Sequence, residues 1–387
     1  MFFLPYLYFF IFILLLFYFE KSLFIFNAVS AKSLRICVFY SFGFITVIFI
    51  CCRGYIGADW YNYKIFFDSA PSVFESNDKI NLFFEKSEWA KGFTFFNIVS
   101  KTISENYLFL QFLSGLLDIV LLHLVFREFC PNYYLLCWGL FFAFNGFGFE
   151  ILYLRNTKSI YIFLISLKYI NSEPNKLKYF FLNLLGLLFH SSALIYFPLY
   201  FVLKNKKHNH KIIYLFIFLI GIVFFFLRIQ WIKLCLSQVV SFVPGKFGVR
   251  LGMYLRASQW AADYSFSLGM LERIFSFCLI YKYHNILEKQ GLGVFLKLFY
   301  LYIFIYLYCS EFAIIIARVT ALFIPSYWIL YSRLYSLLKK KGKVIFVIIF
   351  LPYCLLKICI AMSVNWAFYE NFLFSDCDPI VRQNNFF

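Results

Sequence analysis

A chain of 387 residues that is 63% hydrophobic and only 14% charged has too little polar surface to coat a water-soluble globule, in which roughly a quarter of residues carry charge. Its solvent is a membrane. The 36 Lys and Arg against 19 Asp and Glu give a net charge of +17, but the excess falls in short clusters between apolar runs and not in one basic stripe, which excludes a nucleic-acid groove and points to topology-setting loops.

Runs of roughly 20 apolar residues, the length a helix needs to cross a bilayer, are predicted in chain order at Phe2–Phe19, Leu34–Cys52, Tyr107–Phe126, Tyr133–Phe149, Ile151–Ile170, Lys178–Leu203, Ile212–Leu227, Phe266–Tyr283, Val294–Cys309, Phe312–Tyr331 and Val344–Ala361. The first has no basic residue before it and no small-residue cleavage site after it, so it reads as a retained helix and not a signal peptide. Basic residues gather after the first run (Lys21, Lys32, Arg35), the fifth (Lys168, Lys176, Lys178), the sixth (Lys204, Lys206, Lys207, Lys211), the eighth (Lys282, Lys289, Lys297) and the tenth (Arg333, Lys339, Lys340, Lys341, Lys343). The positive-inside rule puts all five joints in the cytoplasm. The fifth and sixth joints flank a single run, yet a simple span cannot leave both its ends on one side. Phe189-His190-Ser191-Ser192 interrupts that run near its middle, so two half-helices meeting at His190 are expected, with the turn facing outside. The expected fold is an all-α polytopic membrane protein, one transmembrane domain over residues 1–387 with about 11 to 12 helical segments, including one broken, re-entrant pair. Both termini then lie outside, with residues 53–106 as a first external loop and residues 230–265 as a second.

Several polar residues stand where chemistry is possible. The segment Arg53-Gly54-Tyr55-Ile56-Gly57-Ala58-Asp59-Trp60-Tyr61-Asn62-Tyr63 leaves the second run for the external loop. Gly57 permits a tight turn there, Asp59 supplies a carboxylate, and Trp60, Tyr61 and Tyr63 offer flat faces of the kind sugars pack on; an interfacial aromatic belt beside a turn is the plainer alternative. Arg155 stands inside the fifth run on its external side. An intramembrane arginine either faces a cavity or pairs with a carboxylate, and its five-residue separation from Glu150 does not put the two on one helix face, which favours the cavity. His190, with Ser191 and Ser192, would expose an imidazole to the outer compartment, against the plainer role of a hydrogen-bonded structural residue. Arg250 and Arg256 in the second loop and Arg318 in the tenth run present the planar forks that clamp phosphate oxygens. Loop solvation for the first two and an ion pair with Glu311 for the third are the alternatives. No GxxxxGKS/T loop and no HExxH occurs, the five histidines are scattered, and the 11 cysteines include no CxxC. No ATP motor, metal site or disulfide framework is therefore expected. Asp376-Cys377-Asp378 matches the DxD of nucleotide-sugar transferases, but it lies on a tail expected outside, where nucleotide sugars are not supplied.

The order of these features resembles the EpsG-like family of bacterial exopolysaccharide proteins, a branch of the Wzy-type polysaccharide polymerases. The resemblance rests on Arg53 with Gly57-Ala58-Asp59 and Tyr63, Glu88 with Gly92-Phe93, Leu154-Arg155, Phe189-His190-Ser191-Ser192-Ala193-Leu194, and Ala317-Arg318 leading to Ile324-Pro325. These short motifs reach across most of the chain, and their order and membrane position carry the match. One departs from the pattern: the family usually presents a glutamate closely followed by Gly-Tyr, where this sequence has Glu88-Trp89-Ala90-Lys91-Gly92-Phe93. The resemblance implies a multi-pass glycosyltransferase of GT-C-like architecture in the bacterial inner membrane, without cofactor or metal and independent of nucleotide sugars. Donor and acceptor would be oligosaccharides on undecaprenyl pyrophosphate, with a flippase and chain-length regulators as protein partners. In those roles Asp59, Arg155, His190 and Arg318 would be catalytic, and Arg53, Trp60, Tyr63, Glu88, Arg250 and Arg256 would bind substrate. The rival reading is a transporter, such as a flippase for the same lipid-linked oligosaccharide; such folds commonly carry internal repeats, and no matching halves are found in the sequence.

Overall fold

A backbone inside a bilayer has no water to bond with and must satisfy its own amides, which helices do within one segment. The computed structural model describes residues 2–23, 29–204, 211–240, 242, 249, 252, 266–311 and 313–384, and among them the regular structure is helical apart from one isolated bridge between Arg53 and Asn371. In chain order the helices are α1 (Leu4–Leu23), α2 (Val29–Thr46, continued by a π turn over Val47–Cys51), α3 (Trp60–Asp68), α4 (Asn77–Lys86), α5 (Lys91–Ile103), α6 (Tyr107–Phe129), α7 (Tyr134–Phe141), α8 (Phe147–Leu152), α9 (Asn156–Ser166), α10 (Lys176–Phe189), α11 (Tyr196–Lys204), α12 (Lys211–Phe226), α13 (Trp231–Val240), α14 (Leu268–Leu287), α15 (Gly293–Tyr308), α16 (Ala313–Ala321), α17 (Pro325–Leu337), α18 (Lys340–Met362) and α19 (Pro379–Asn384). They fall into two compact units, Met1–Val202 with Tyr335–Phe387, and Leu203–Leu334.

Among the described residues six stretches are long and apolar enough to cross a membrane: α1, α2 with its π turn, α6, α7 with α8, α14 with α15, and α18. The pair α12 and α13, bent by 79°, makes a seventh if taken as one span. The α14–α15 stretch is two passes, as the separate eighth and ninth runs anticipate. Gly291 at φ +80 turns the chain, setting the Phe277 and Tyr300 rings 5.7 Å apart and the Arg273 guanidinium 3.9 Å from the Tyr306 ring.

Two expected spans are divided. The fifth run leaves the helix at Tyr153 and re-enters it at Asn156, so α9 has only 11 residues, too few to cross alone. Pro325 lacks the amide that a continuing helix would use and restricts the residue before it, so the tenth run splits into α16 and α17.

The sixth run breaks where the charge conflict requires. Helix α10 stops at Phe189, His190 is extended (φ −154, ψ 137), a 3-10 turn covers Ser191–Ile195, and α11 returns. Tyr179 donates its hydroxyl proton to Tyr196 O at 2.6 Å, and the Tyr179 and Tyr200 rings lie 5.1 Å apart. An unbroken helix, rising about 1.5 Å per residue, would hold residues 179 and 196 roughly 25 Å apart.

Residues 53–106, expected as the first external loop, are largely helical, forming α3, α4 and α5. The second begins as α13, and most of its remainder lies outside the described residues. Within the first unit the chain ends of the helices sort into two groups. Lys21 Nζ donates to Asn132 O at 2.5 Å and Ser172 Oγ to Glu128 at 3.2 Å, joining the connections after the first, third and fifth runs. At the other end Tyr6 donates to Ala367 O at 2.7 Å, and Gly54 N to Glu370 O at 2.9 Å. The start of the N-terminal helix, the segment that follows α2 and the C-terminal tail therefore share one end.

Candidate functional site

The turn leaving α2 is held from several sides. Arg53 is 3% exposed, and its guanidinium donates to Ile50 O and Glu150 O, both at 2.6 Å. Expected to touch substrate, it instead clamps the turn onto α8, because a buried cation takes whichever carbonyls surround it. Gly57 N donates to Trp366 O at 3.0 Å, so the C-terminal segment straps the same turn down. Gly57 sits at φ +108, and a Cβ there would lie 2.6 Å from Ile151 O. Gly57→Ala is expected to cost roughly 1–3 kcal/mol through that strain, read as a lowered melting temperature of the detergent-solubilised protein; an unchanged melting temperature would show that the turn relaxes.

The turn delivers Asp59 to the N-cap position of α3, where its side chain is exposed and does not bond the helix amides. Trp60 and Tyr63 occupy the buried face of α3, 3% and 8% exposed, and pack with Tyr55, Phe67, Phe93 and Leu154. Their faces are covered by protein, which leaves little of either for a sugar. The half-buried Trp89 extends the same aromatic wall, stacked 4.3 Å from Phe66 and edge-on 5.1 Å from Tyr63. Glu88, just before it, is exposed.

Arg155 stands at the break between α8 and α9, in the N-cap position of α9, and not inside a helix as expected. Its guanidinium lies 4.4 Å from the Trp89 ring, 5.8 Å from Phe93 and 5.9 Å from Tyr63. Stacking holds a planar cation by its face and leaves its N–H edges to meet an anion. The N-terminus of α9 adds positive potential beside it, although the Thr157 amide already bonds Tyr153 O at 2.9 Å. Glu150 is not its partner: that carboxylate is buried and accepts the Tyr161 hydroxyl at 2.9 Å. Burial pushes the Tyr63 hydroxyl above its usual pKa of 10 against the pull of Arg155, so it stays protonated at neutral pH.

His190 Nδ1 accepts the Ser192 amide proton at 3.1 Å, while Ser192 Oγ, 2.9 Å from the same nitrogen, donates to Asn156 Oδ1 at 2.6 Å. This relay ties the re-entrant turn to the first residue of α9, adjacent to Arg155. From the other side Gly92 lets α5 approach the hairpin, since a Cβ there would lie 2.7 Å from Leu188 O. Phe189 packs on the aromatic wall that holds Tyr63 and Phe93. The folded chain thus gathers Asp59, Trp89, Arg155 and His190 from four segments of the first unit.

Beneath the first turn of α9 is a feature the sequence reading missed. Lys158, fully buried, lies 2.5 Å from both Asp118 Oδ2 and Ser114 Oγ, and Thr157 donates to Asp118 at 3.2 Å. The pair fastens α9 to α6. Its signal was available, because both residues are charges inside apolar runs.

Arg318, in the second unit, is exposed on α16. Glu311, the alternative partner weighed for it, accepts the Ile232 and Lys233 amides at 2.6 and 3.0 Å and caps α13, as a carboxylate does at a helix N-terminus. Arg250 and Arg256 lie outside the described residues.

Comparison with curated proteins finds no match, and comparison with solved structures finds none either. The model of the EpsG family matches residues 36–373, a stretch that takes in the α2 turn, the aromatic wall, the α9 break and the re-entrant hairpin. The chain belongs to the EpsG family, a Wzy-like polymerase family.

Proposed function

We propose that this protein is a glycosyltransferase that moves a growing oligosaccharide from undecaprenyl pyrophosphate onto the next lipid-linked repeat unit at the outer face of the bacterial inner membrane. The observation that carries the reading is Arg155, a half-buried guanidinium stacked on Trp89 at a helix N-terminus, with Glu150 engaged elsewhere. That arrangement suits the leaving group. A hydroxyl of the incoming unit attacks the anomeric carbon of the chain, a new C–O bond forms, and the bond to the pyrophosphate oxygen breaks with its electron pair leaving on the lipid pyrophosphate. Arg155 and the positive end of α9 meet that charge without rearranging, a preorganised stabilisation that is often the largest catalytic term.

The hydroxyl proton needs an acceptor. Because the Ser192 amide donates into Nδ1, a neutral His190 ring carries its proton on Nε2 and is a donor there. Asp59, exposed and not engaged in capping α3, is the better base. Asp59→Asn is expected to lower turnover by about 10²–10⁴-fold, the range for losing a general base. His190→Asn, which keeps a donor, should lose clearly less. Equal losses in single-turnover assays of the two variants would overturn the division of roles.

Purified protein in proteoliposomes tests the reaction itself. Supplied with lipid-linked repeat units alone, it should form longer chains and release undecaprenyl pyrophosphate in equal amount. Substrate that changes leaflet with no new glycosidic bond would mark a flippase.

A further inference from the structure

Beyond α18 the chain returns across the turn that leaves α2 and meets it backbone to backbone. Phe372 N donates to Cys52 O at 3.0 Å, Gly54 N to Glu370 O at 2.9 Å and Gly57 N to Trp366 O at 3.0 Å, with the Arg53–Asn371 bridge among them. The last carbonyls of a helix have no partner within it. Here the returning segment supplies partners: Tyr369 donates its hydroxyl proton to Phe49 O and Asn371 its side-chain amide to Ile48 O, both at 2.9 Å.

Side chains follow the backbone. Phe372 and Cys377 pack against the cluster that holds Tyr55 and Trp60, and a Cβ on Gly54 would lie 2.6 Å from Cys377 Sγ. Asp59 is therefore framed by this segment on both sides. Two positions before it, the Gly57 amide is bonded to Trp366; one position after it, Trp60 belongs to the cluster on which Phe372 and Cys377 rest.

A terminal segment frays unless something ties it down. Arg382, on α19, is 2% exposed, and its guanidinium reaches back to Phe368 O at 2.7 Å and to Glu370 Oε1 at 3.3 Å, lying 5.3 Å from the Phe368 ring. Phe368 and Glu370 stand between Trp366 and Phe372, in the stretch that bonds the α2 turn. A buried guanidinium is costly unless acceptors surround it, so its docking and the docking of that stretch depend on each other. The EpsG model ends its match at residue 373, and Arg382 lies beyond it.

We propose that Arg382 is a positioning residue for Asp59: it closes the C-terminal segment on itself, the closed segment holds the α2 turn, and the turn sets where the carboxylate stands. The inference rests on the reading of Asp59 as the base. Misplacing a reacting group by about 1 Å costs on the order of 100-fold in rate, so loss of Arg382 should be felt in turnover more than in binding.

The test uses full-length protein in proteoliposomes supplied with lipid-linked repeat units. Arg382→Met is expected to lower the single-turnover rate roughly 10–100-fold with the KM for the repeat unit little changed. Arg382→Lys, which keeps the charge and a donor, should recover part of the loss. Maleimide labelling of Cys377, read by peptide mapping, should be faster in Arg382→Met, because the segment is no longer held against Gly54. The deciding comparison places Arg382→Met in the Asp59→Asn background. A residue that acts through Asp59 costs nothing further once the carboxylate is gone, so the double variant should turn over at the rate of Asp59→Asn alone. The same fold-loss in both backgrounds would overturn the proposal and leave Arg382 a structural residue, with Asp59 still the base. A wild-type rate in Arg382→Met, or Cys377 labelling that does not change, would overturn it as well. Full turnover in Asp59→Asn would refute the base itself, and the positioning role with it.

Discussion

Arg155→Ala is expected to lower polymer formation by roughly 10²–10³-fold, the loss typical of removing one preorganised charge-stabilising donor, while the protein remains inserted and abundant. The two halves of that expectation have separate causes. The guanidinium is stacked on Trp89, and Glu150 bonds Tyr161, so the substitution forfeits a cation–π contact of about 0.5–2 kcal/mol and strands no carboxylate. Arg155→Lys keeps the charge but loses both the flat stack and the bidentate fork, and should fall between wild type and alanine. Turnover on lipid-linked repeats and melting temperature, measured on the same preparations, separate the roles. If activity and folded yield fall together in both variants, Arg155 is a structural residue.

Lys158→Met should act in the opposite way, through stability first. It removes one member of a buried pair whose side chains are 0% and 2% exposed, leaving the Asp118 charge without its cation, at a cost of roughly 3–5 kcal/mol. Replacing both partners, Asp118→Leu with Lys158→Met, leaves no stranded charge and should restore most of the lost stability, since a buried ion pair is often no better than well-packed apolar residues. The thermal midpoints of the two single variants and the double variant measure this. Losses that simply add in the double variant would show that the two charges do not depend on each other. Restored stability without restored activity would mean that the pair also sets the position of the α9 N-terminus.

What the sequence made legible follows from which constraints are local and which arise only on packing. The membrane class, the two helices flanking Gly291 and the reversal at His190 were readable because apolar length and basic joints act within one segment of chain. The charge conflict around Lys178–Leu203 predicted a turn that the Tyr179–Tyr196 contact bears out. The break before Arg155 was not readable, because nothing in Tyr153-Leu154-Arg155 forbids a helix; what the break does is set Arg155 over an aromatic wall drawn from the α3–α5 segment. Arg53 and Arg155 look alike as arginines at the ends of apolar runs, yet one is surrounded by carbonyls and the other by rings. Trp89 was passed over beside Glu88, because its partners Phe66, Tyr63 and Arg155 lie up to 66 positions away. Glu311 shows the same limit: a partner for Arg318 by sequence proximity, it caps a helix that starts 80 positions before it.

The most direct measurement is the length distribution of surface polysaccharide, resolved on a gel, from a strain deleted for this gene and carrying either the wild-type chain or Arg155→Ala. With wild type the full ladder should return; with Arg155→Ala, present at normal abundance, single repeat units should reach the surface and the longer rungs should be missing. Repeat units held on the cytoplasmic leaflet, with nothing outside, would contradict a polymerase and make this protein a transporter.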